Sequence, residues 1–192
     1  MNLQLESQRL HLRLARQEDV LAIIGYYAKN RDYLAPFEPR KSPLFYTRTH
    51  WEREVEARIE EFATDRSLKL FLFEKDVWEK ENSEAIVGTL NFVNFIRGAF
   101  QSCTVGYSVA EAKQGRGYMK EAMTIAIDYV FRELNLHRIM AAYLPHNQRS
   151  GRLLKSLGFV VEGYARDYIR IDDRWQDHIL TSLIHPHWQP EW

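Results

Sequence analysis

Apolar and polar residues alternate from Leu10 to Leu14 (LHLRL), which predicts a half-buried strand over 10–14. Over 17–30 the period changes, and Val20, Ile23, Ile24 and Tyr27 recur at helical spacing. Residues 31–48 contain Pro36, Pro39 and Pro43 and carry no period, so a loop long enough to suggest a role in binding is expected there. Thr49 and Glu52 have the spacing of a capping box, and the helix predicted over 49–66 turns Trp51, Val55, Ile59 and Phe62 inward. Strands are predicted at 68–75, 85–96 and 101–109, with a hairpin turn at RGAF between the last two. Residues 118–134 place Met119, Ala122, Met123, Ala126, Ile127, Val130 and Leu134 on one face of a helix. A short buried strand follows at 138–144, then a helix over 146–159 that stops at Gly158, a favoured C-terminal residue type. Two strands, 159–170 and 174–184, complete the pattern.

The predicted order is βααβββαβαββ. The strand–loop–helix–strand unit over 101–144 requires a crossover, so its two strands should lie parallel, whereas the 85–109 hairpin is antiparallel. The expectation is a mixed α/β (α+β) fold: a mostly antiparallel seven-stranded sheet with helices on both faces, formed by residues 1–192 as one domain.

Charge narrows the function classes. Lys plus Arg and Asp plus Glu both number 26, so the formal net charge is zero. A general nucleic-acid coat or a membrane-surface protein would show a basic excess, so neither direct nucleic-acid binding nor membrane binding is expected. The N-terminal MNLQLESQRL has no basic segment followed by an apolar run, and no long uncharged apolar stretch occurs, so a cytoplasmic location is expected. Cys103 is the one cysteine, which rules out an intramolecular disulfide. It sits within a predicted strand and reads as a small apolar residue. His185 and His187 are too few for a metal centre, and no metal is expected.

The segment AKQGRGYMKEA (112–122) carries the most specific chemistry. A glycine-rich turn entering a helix leaves converging N–H donors at the positive end of the helix dipole, and Lys113 and Arg116 add cationic side chains. A phosphate or pyrophosphate is the natural occupant, although a Gly-x-Gly turn by itself can be no more than a tight turn. The segment is not a GxxxxGK[ST] loop. It fits only the first two glycines of GxGxxG, since Lys120 stands at the third position.

The surroundings of that turn are informative. Gln114 and Gly117 match the [Arg/Gln]-x-x-Gly-x-[Gly/Ala] cofactor loop of the GNAT family of N-acetyltransferases, with Met119 departing from the last position. Three segments around it stand in family order: NFxNxxRGxFxxCxxGYS (91–108) before it, and HRIMAxYxPHNxRSGxLLxxLGF (137–159) and EGYAxDYxxIDxxWxDH (162–178) after it. Together they closely resemble the branch of that family that acetylates the N-terminal alanine of a small-subunit ribosomal protein, where "GYM" followed by "EA" is common.

The resemblance implies acetyl-CoA as cosubstrate, lying where two parallel strands splay, near Val109 and Leu144. It implies pantetheine pairing with backbone near Tyr107, Ser108 and Val109, eased by Gly106, and an oxyanion-stabilising N–H near Val109. The amides of Gly115, Arg116, Gly117, Tyr118 and Met119 would hold the pyrophosphate, with Gln114 bracing the turn. Asn147 would contact the cofactor, cap its helix, or both. Many family members protonate the leaving thiolate with a tyrosine seven residues after this asparagine. Leu154 occupies that place, and the resemblance to the ribosomal branch implies Ser150 as the acid, the alternative being a small polar residue in the first turn of its helix. Glu162, and Asp167 beside it, are the candidate carboxylates for a water-mediated base, each with a structural alternative. The implied partner is a ribosomal-protein N-terminus, met free or on a pre-ribosomal particle, and transfer is direct within a ternary complex. The acidic run Glu52, Glu54, Glu56, Glu60 and Glu61 would either attract a basic protein tail or form a solvated face. Two other readings stay open: an acetyltransferase for a small amine such as a polyamine or aminoglycoside, and a non-catalytic acetyl-CoA-binding ribosome-assembly factor.

Overall fold

The structure is a computed structural model that describes residues 3–75 and 86–190. Ala85, the first residue of the third predicted strand, lies outside the described residues. The elements are β1 (Gln4–Glu6), β2 (Leu10–Arg13), α1 (Val20–Lys29), α2 (Arg31–Leu34), α3 (Arg48–Ala63), β3 (Leu68–Glu74), β4 (Ile86–Ile96) and β5 (Ser102–Val109). They continue as α4 (Tyr118–Arg132), β6 (Arg138–Tyr143), α5 (Gln148–Ser156), β7 (Val160–Ile171) and β8 (Arg174–Ile184).

Among the described residues one sheet of eight strands forms, in the order β1-β2-β3-β4-β5-β6-β8-β7. The expectation was seven. The additional strand is the three-residue β1, which pairs antiparallel with β2 through Gln4↔Arg13 and Glu6↔His11. So short a strand has no periodicity of its own to read, and the edge it caps decides its conformation. Every ladder is antiparallel except β5–β6, which is parallel as the crossover requires.

The alternation within β3 builds two cores. Leu68, Leu70 and Leu72 face α4, where they join Leu90, Phe92, Met119, Met123 and Val130. Phe71 and Phe73 face the other way, onto Ile23, Tyr27, Trp51 and Val55 of α1 and α3. Each face of the sheet is thus covered by helix, which is why β3 reads as a nearly continuous apolar run.

Two details of α3 differ from the sequence expectation. Its N-cap is Thr47, whose hydroxyl accepts from the His50 amide at 3.3 Å, rather than Thr49, because Thr47 is the last residue with extended backbone. Its inward face carries Arg58 (7% exposed) in place of Ile59 (36% exposed). The proline-containing segment before it is not wholly irregular, since it holds α2 and a short 3₁₀ turn over Pro43–Tyr46.

A buried ion pair fixes α1 against the sheet. Arg13 on β2 grips Asp19 with two nitrogens at 2.6 and 2.7 Å, and the Asp19 carboxylate also accepts from the Arg16 amide at 2.7 Å. The guanidinium lies 4.2 Å over the Phe73 ring. Among the described residues no helix is long and apolar enough to cross a membrane. Replacing Asp19 with Ala removes the carboxylate that accepts from two buried guanidinium nitrogens and the Arg16 amide, and is expected to cost about 3–5 kcal/mol of stability. Urea unfolding should show this as a lower midpoint at unchanged slope.

Candidate active site

The β5–β6 ladder runs from Ser102↔Arg138 to Thr104↔Met140 and ends there, although β5 continues to Val109 and β6 to Tyr143. Beyond Thr104 the two strands part. On its other side β5 stays paired with β4 as far as Gly88↔Val109, so the main chain from Val105 to Val109 borders the opening. The opening is a cleft of about 1170 Å³ lined by Tyr107, Ser108, Val109, Tyr143, Leu144 and Asn147, among others.

At one end of the cleft lies the glycine turn. Gly115 and Gly117 have φ of +71° and +78°, a left-handed backbone that side-chain-bearing residues seldom adopt. Gly117 is the N-cap of α4, so the amides of the first helical turn open toward the cleft end with the helix dipole behind them. The turn is tied down from afar. Arg9 donates from Nη1 to the Arg116 carbonyl at 3.0 Å and holds Glu121 through Nε and its backbone amide, both at 2.8 Å. The Arg9 guanidinium also lies 4.5 Å over the Tyr118 ring. On the cleft side, Tyr118 and Lys113 both bond to the Glu74 carboxylate. Partial burial alone would raise the Glu121 and Glu74 carboxyls. The hydrogen bonds from Ser7 and Arg9, and from Lys113 and Tyr118, outweigh burial and hold both below the usual carboxylate range.

Midway along the cleft, the Tyr107 hydroxyl and Ser150 Oγ are 2.7 Å apart. Ser150 is placed by the start of α5: Asn147 caps that helix by accepting from the Ser150 amide at 3.2 Å. Burial pushes the Tyr107 phenol up to about 12, so it stays protonated near neutrality. Leu154, one turn further on, is 1% exposed and belongs to the core.

The cleft reaches both faces of the sheet. Tyr107 and Val105 lie opposite Leu90 and Phe92, on the α4 side. Ser108 and Gly106 lie opposite Thr89 and Asn91, on the α1–α3 side. There a chain of hydroxyls runs from Tyr26 to Ser108 (3.0 Å) to Thr89 (2.9 Å). Tyr27, its phenol raised to about 12 by burial, interacts with Thr89 and Arg58.

Most of the residues singled out from the sequence thus come together. Tyr107, Ser108, Val109, Gln114, Gly115, Gly117, Tyr118, Met119, Asn147 and Ser150 all line the cleft. Arg116 does not line it and contributes its carbonyl to the brace from Arg9. Glu162 is also elsewhere: Arg138 and the Ser182 hydroxyl hold its carboxylate, lowering its pKa, on the β7 side of the sheet. Asp167 lies with it on β7, outside the cleft. Cys103 is fully buried, and burial pushes its thiol up to about 12, so it is no nucleophile. Four of the five acidic residues of α3 pair within the molecule, Glu52 with Arg48, Glu54 with Arg58, Glu60 with Arg66 and Glu61 with Lys69, and Glu56 accepts from Gln17 at 3.4 Å. His185 stacks on Phe131 at 4.9 Å, and no group of three or more His, Cys, Asp or Glu suited to a metal occurs among the described residues.

Sequence reasoning missed the brace from Arg9 and the Tyr107–Ser150 contact. The acidic Glu121 in the first turn of α4 was visible, but nothing local linked it to a residue 112 positions away.

The cleft fits an acyl-CoA. A Cβ built on Gly106 or Gly115 would meet no heavy atom within 4 Å, so a ligand can approach the main chain closely at both ends of the opening. The comparisons agree with that geometry. The chain is 45% identical over 187 residues to the [ribosomal protein uS5]-alanine N-acetyltransferase of Escherichia coli K12, covering 97% of this chain and 93% of that protein. A ribosomal-protein-S5-alanine acetyltransferase structure from Vibrio fischeri superposes with a TM-score of 0.91 at 37% identity, covering 98% and 100% of the two chains. The Mycobacterium smegmatis RimJ structure, in complex with CoA-disulfide, gives 0.83 at 26% identity, covering 95% and 86%. The acetyltransferase (GNAT) domain family matches residues 9–160, and the chain belongs to that family of N-acetyltransferases.

Proposed function

We propose that this enzyme moves the acetyl group of acetyl-CoA to the α-amino group of an N-terminal alanine, that of the small-subunit ribosomal protein uS5. The observation that carries the reaction is the parting of β5 from β6 over a cleft that ends at the Gly115–Gly117 turn. The acceptor rests on the full-length likeness to uS5-alanine N-acetyltransferases.

Acetyl-CoA supplies an activated acyl group and a thiolate leaving group. The protein's own work is to hold, orient and move protons. In this reading the amides from Gly115 to Met119 bind the diphosphate, aided by the left-handed glycines and the α4 dipole. The main chain from Tyr107 to Val109 aligns the pantetheine arm, and Asn147 borders the cleft while capping α5. Ser150 donates a proton to the departing sulfur as the amine–carbonyl bond forms and the carbon–sulfur bond breaks; the acylated nitrogen releases one proton, which returns through water to the Ser150 oxygen. Tyr107, 2.7 Å away and protonated, hydrogen-bonds to Ser150 and keeps its hydroxyl oriented.

The base has little to do. An α-amine has a pKa of about 7.7–8.0, so a useful fraction is already neutral near physiological pH. No role falls to Glu162, which is paired with Arg138 outside the cleft. The cleft's charge disfavours a polyamine acceptor. Its carboxylates are Glu38, which Lys41 offsets at 3.5 Å, and Glu111, while Lys120, Arg149 and Arg152 line it beside Arg58 and Lys113, which Glu54 and Glu74 neutralise.

Three outcomes are expected. An alanine-starting peptide should release free CoA saturably, and Ser150→Ala should lower kcat by about 10²-fold, the low end for loss of general acid catalysis, while calorimetry finds acetyl-CoA binding retained. The rate should climb as the acceptor amine deprotonates and then stay level to about pH 10, because Tyr107 loses its proton only near 12. A fall with a midpoint between pH 8 and 9 would contradict its role. Gly117→Glu should abolish acetyl-CoA binding in calorimetry, since it places a carboxylate and a strained left-handed residue at the phosphate end.

A further inference from the structure

The reaction as described leaves two buried polar atoms of the cleft unused. Arg58, 7% exposed, lines the cleft from α3 and gives its Nε to Glu54 at 2.8 Å. Its guanidinium lies over Trp51 and Phe71, at 5.0 and 5.3 Å, which fixes the plane of the group. Tyr27 also interacts with the guanidinium, but Nη1 is buried with no hydrogen-bond partner. Asn91, on β4, also lines the cleft, and its Oδ1 is likewise buried and unpartnered. Unpaired buried polar atoms are rare in native proteins and call for an explanation.

The two atoms belong to one surface. Phe71, the ring beneath Arg58, lies opposite Thr89, and Asn91 is the next residue along the same face of β4. Both therefore border the cleft on the α1–α3 side, across the sheet from Tyr107 and Ser150. One atom is an acceptor and the other a charge-assisted donor.

We propose that Asn91 and Arg58 are the recognition pair for the acceptor: Asn91 Oδ1 accepts from the α-amino nitrogen, and Arg58 Nη1 donates to the carbonyl oxygen of the acceptor's first residue. This rests on the acyl-transfer reading above and extends it to the acceptor class. A polypeptide N-terminus carries an amine and, two bonds along the chain, a carbonyl, so it presents one donor and one acceptor close together. The ε-amine of a lysine has no carbonyl nearby, and a polyamine has none at all; either leaves Nη1 buried without a partner. The fixed guanidinium also disfavours a second positive charge beside it, which selects the neutral amine that attacks. Specificity of this kind comes from a polar group that the wrong substrate leaves unpaired.

The test measures binding of an alanine-starting peptide to the enzyme–CoA complex by calorimetry, together with kcat/KM for acetyl transfer. A second acceptor replaces the first peptide bond by a trans-alkene, which keeps the shape and removes the carbonyl together with the adjoining N–H, so the comparison with Arg58→Met isolates the carbonyl. Asn91→Leu and Arg58→Met are each expected to weaken peptide binding by about 10- to 100-fold, the range for a lost hydrogen bond to a charged or buried group, with CoA affinity unchanged. The alkene should cost the wild type a similar factor and cost Arg58→Met almost nothing more, as a direct contact requires. Peptide binding within twofold of wild type in both variants, or an alkene penalty as large in Arg58→Met as in wild type, overturns the pair. Should Arg58→Met fail to bind CoA, Asn91→Leu and the wild-type alkene comparison decide, and a penalty below twofold in both overturns it. A wild type that binds CoA but acetylates no alanine-starting peptide overturns the acceptor reading itself, which is a separate result from normal transfer with indifferent variants.

Discussion

Two neighbouring parallel strands that pair at only three positions govern this molecule. After Thr104↔Met140 the β5–β6 ladder stops, and the sheet opens between two of its central strands rather than at an edge. Strand pairing elsewhere keeps the opening rigid, because β4 holds β5 and β8 holds β6 along their far sides. Backbone polar groups that a continuous sheet would consume are therefore left along a cleft with fixed walls, where an extended ligand can use them. The crossover through α4 brings the glycine turn to the end of that opening.

Because the opening passes through the sheet, the two faces divide the labour. The α4–α5 face carries the dipole, the glycine turn and the Tyr107–Ser150 hydroxyls, which suit an anionic acyl donor and its leaving group. The α1–α3 face carries Thr89, Ser108, Asn91 and Arg58, beside a core in which Tyr27 stacks on Trp51 at 5.3 Å. Ion pairs hold each side in place: the buried Arg13–Asp19 pair behind α1, and the more exposed Arg9–Glu121 pair behind the turn. Both braces reach from β2 or its preceding residues, so the N-terminal part of the chain supports both sides of the cleft.

Much of this was legible in the chain, and the failures share one cause. The long periodic segment 118–134 showed its helix and most of its buried face: the helix spans Tyr118–Arg132 with eight residues buried, from Tyr118 to Phe131, and Leu134 falls beyond its end. Gly115 and Gly117 were readable because only a left-handed turn makes two such glycines useful before a helix. What could not be read was decided by distant neighbours. Ile59 looked like the core residue of α3, yet Arg58 took the inner place because Phe71, Trp51 and Glu54 together receive a guanidinium. β1 exists because Leu5 finds Leu12 across an edge. Glu162 had the right chemistry for a base, but Arg138 claimed it on the far strand.

The central claim is that the exposed main chain of β5 and the glycine turn together bind acetyl-CoA. Amide hydrogen exchange with and without the cosubstrate tests it most directly. The account predicts that saturating acetyl-CoA slows exchange of backbone amides within Val105–Val109 and Gly115–Met119 more than anywhere else in the chain. Saturation with those amides exchanging at their free rates, and protection appearing in another part of the molecule, would contradict it.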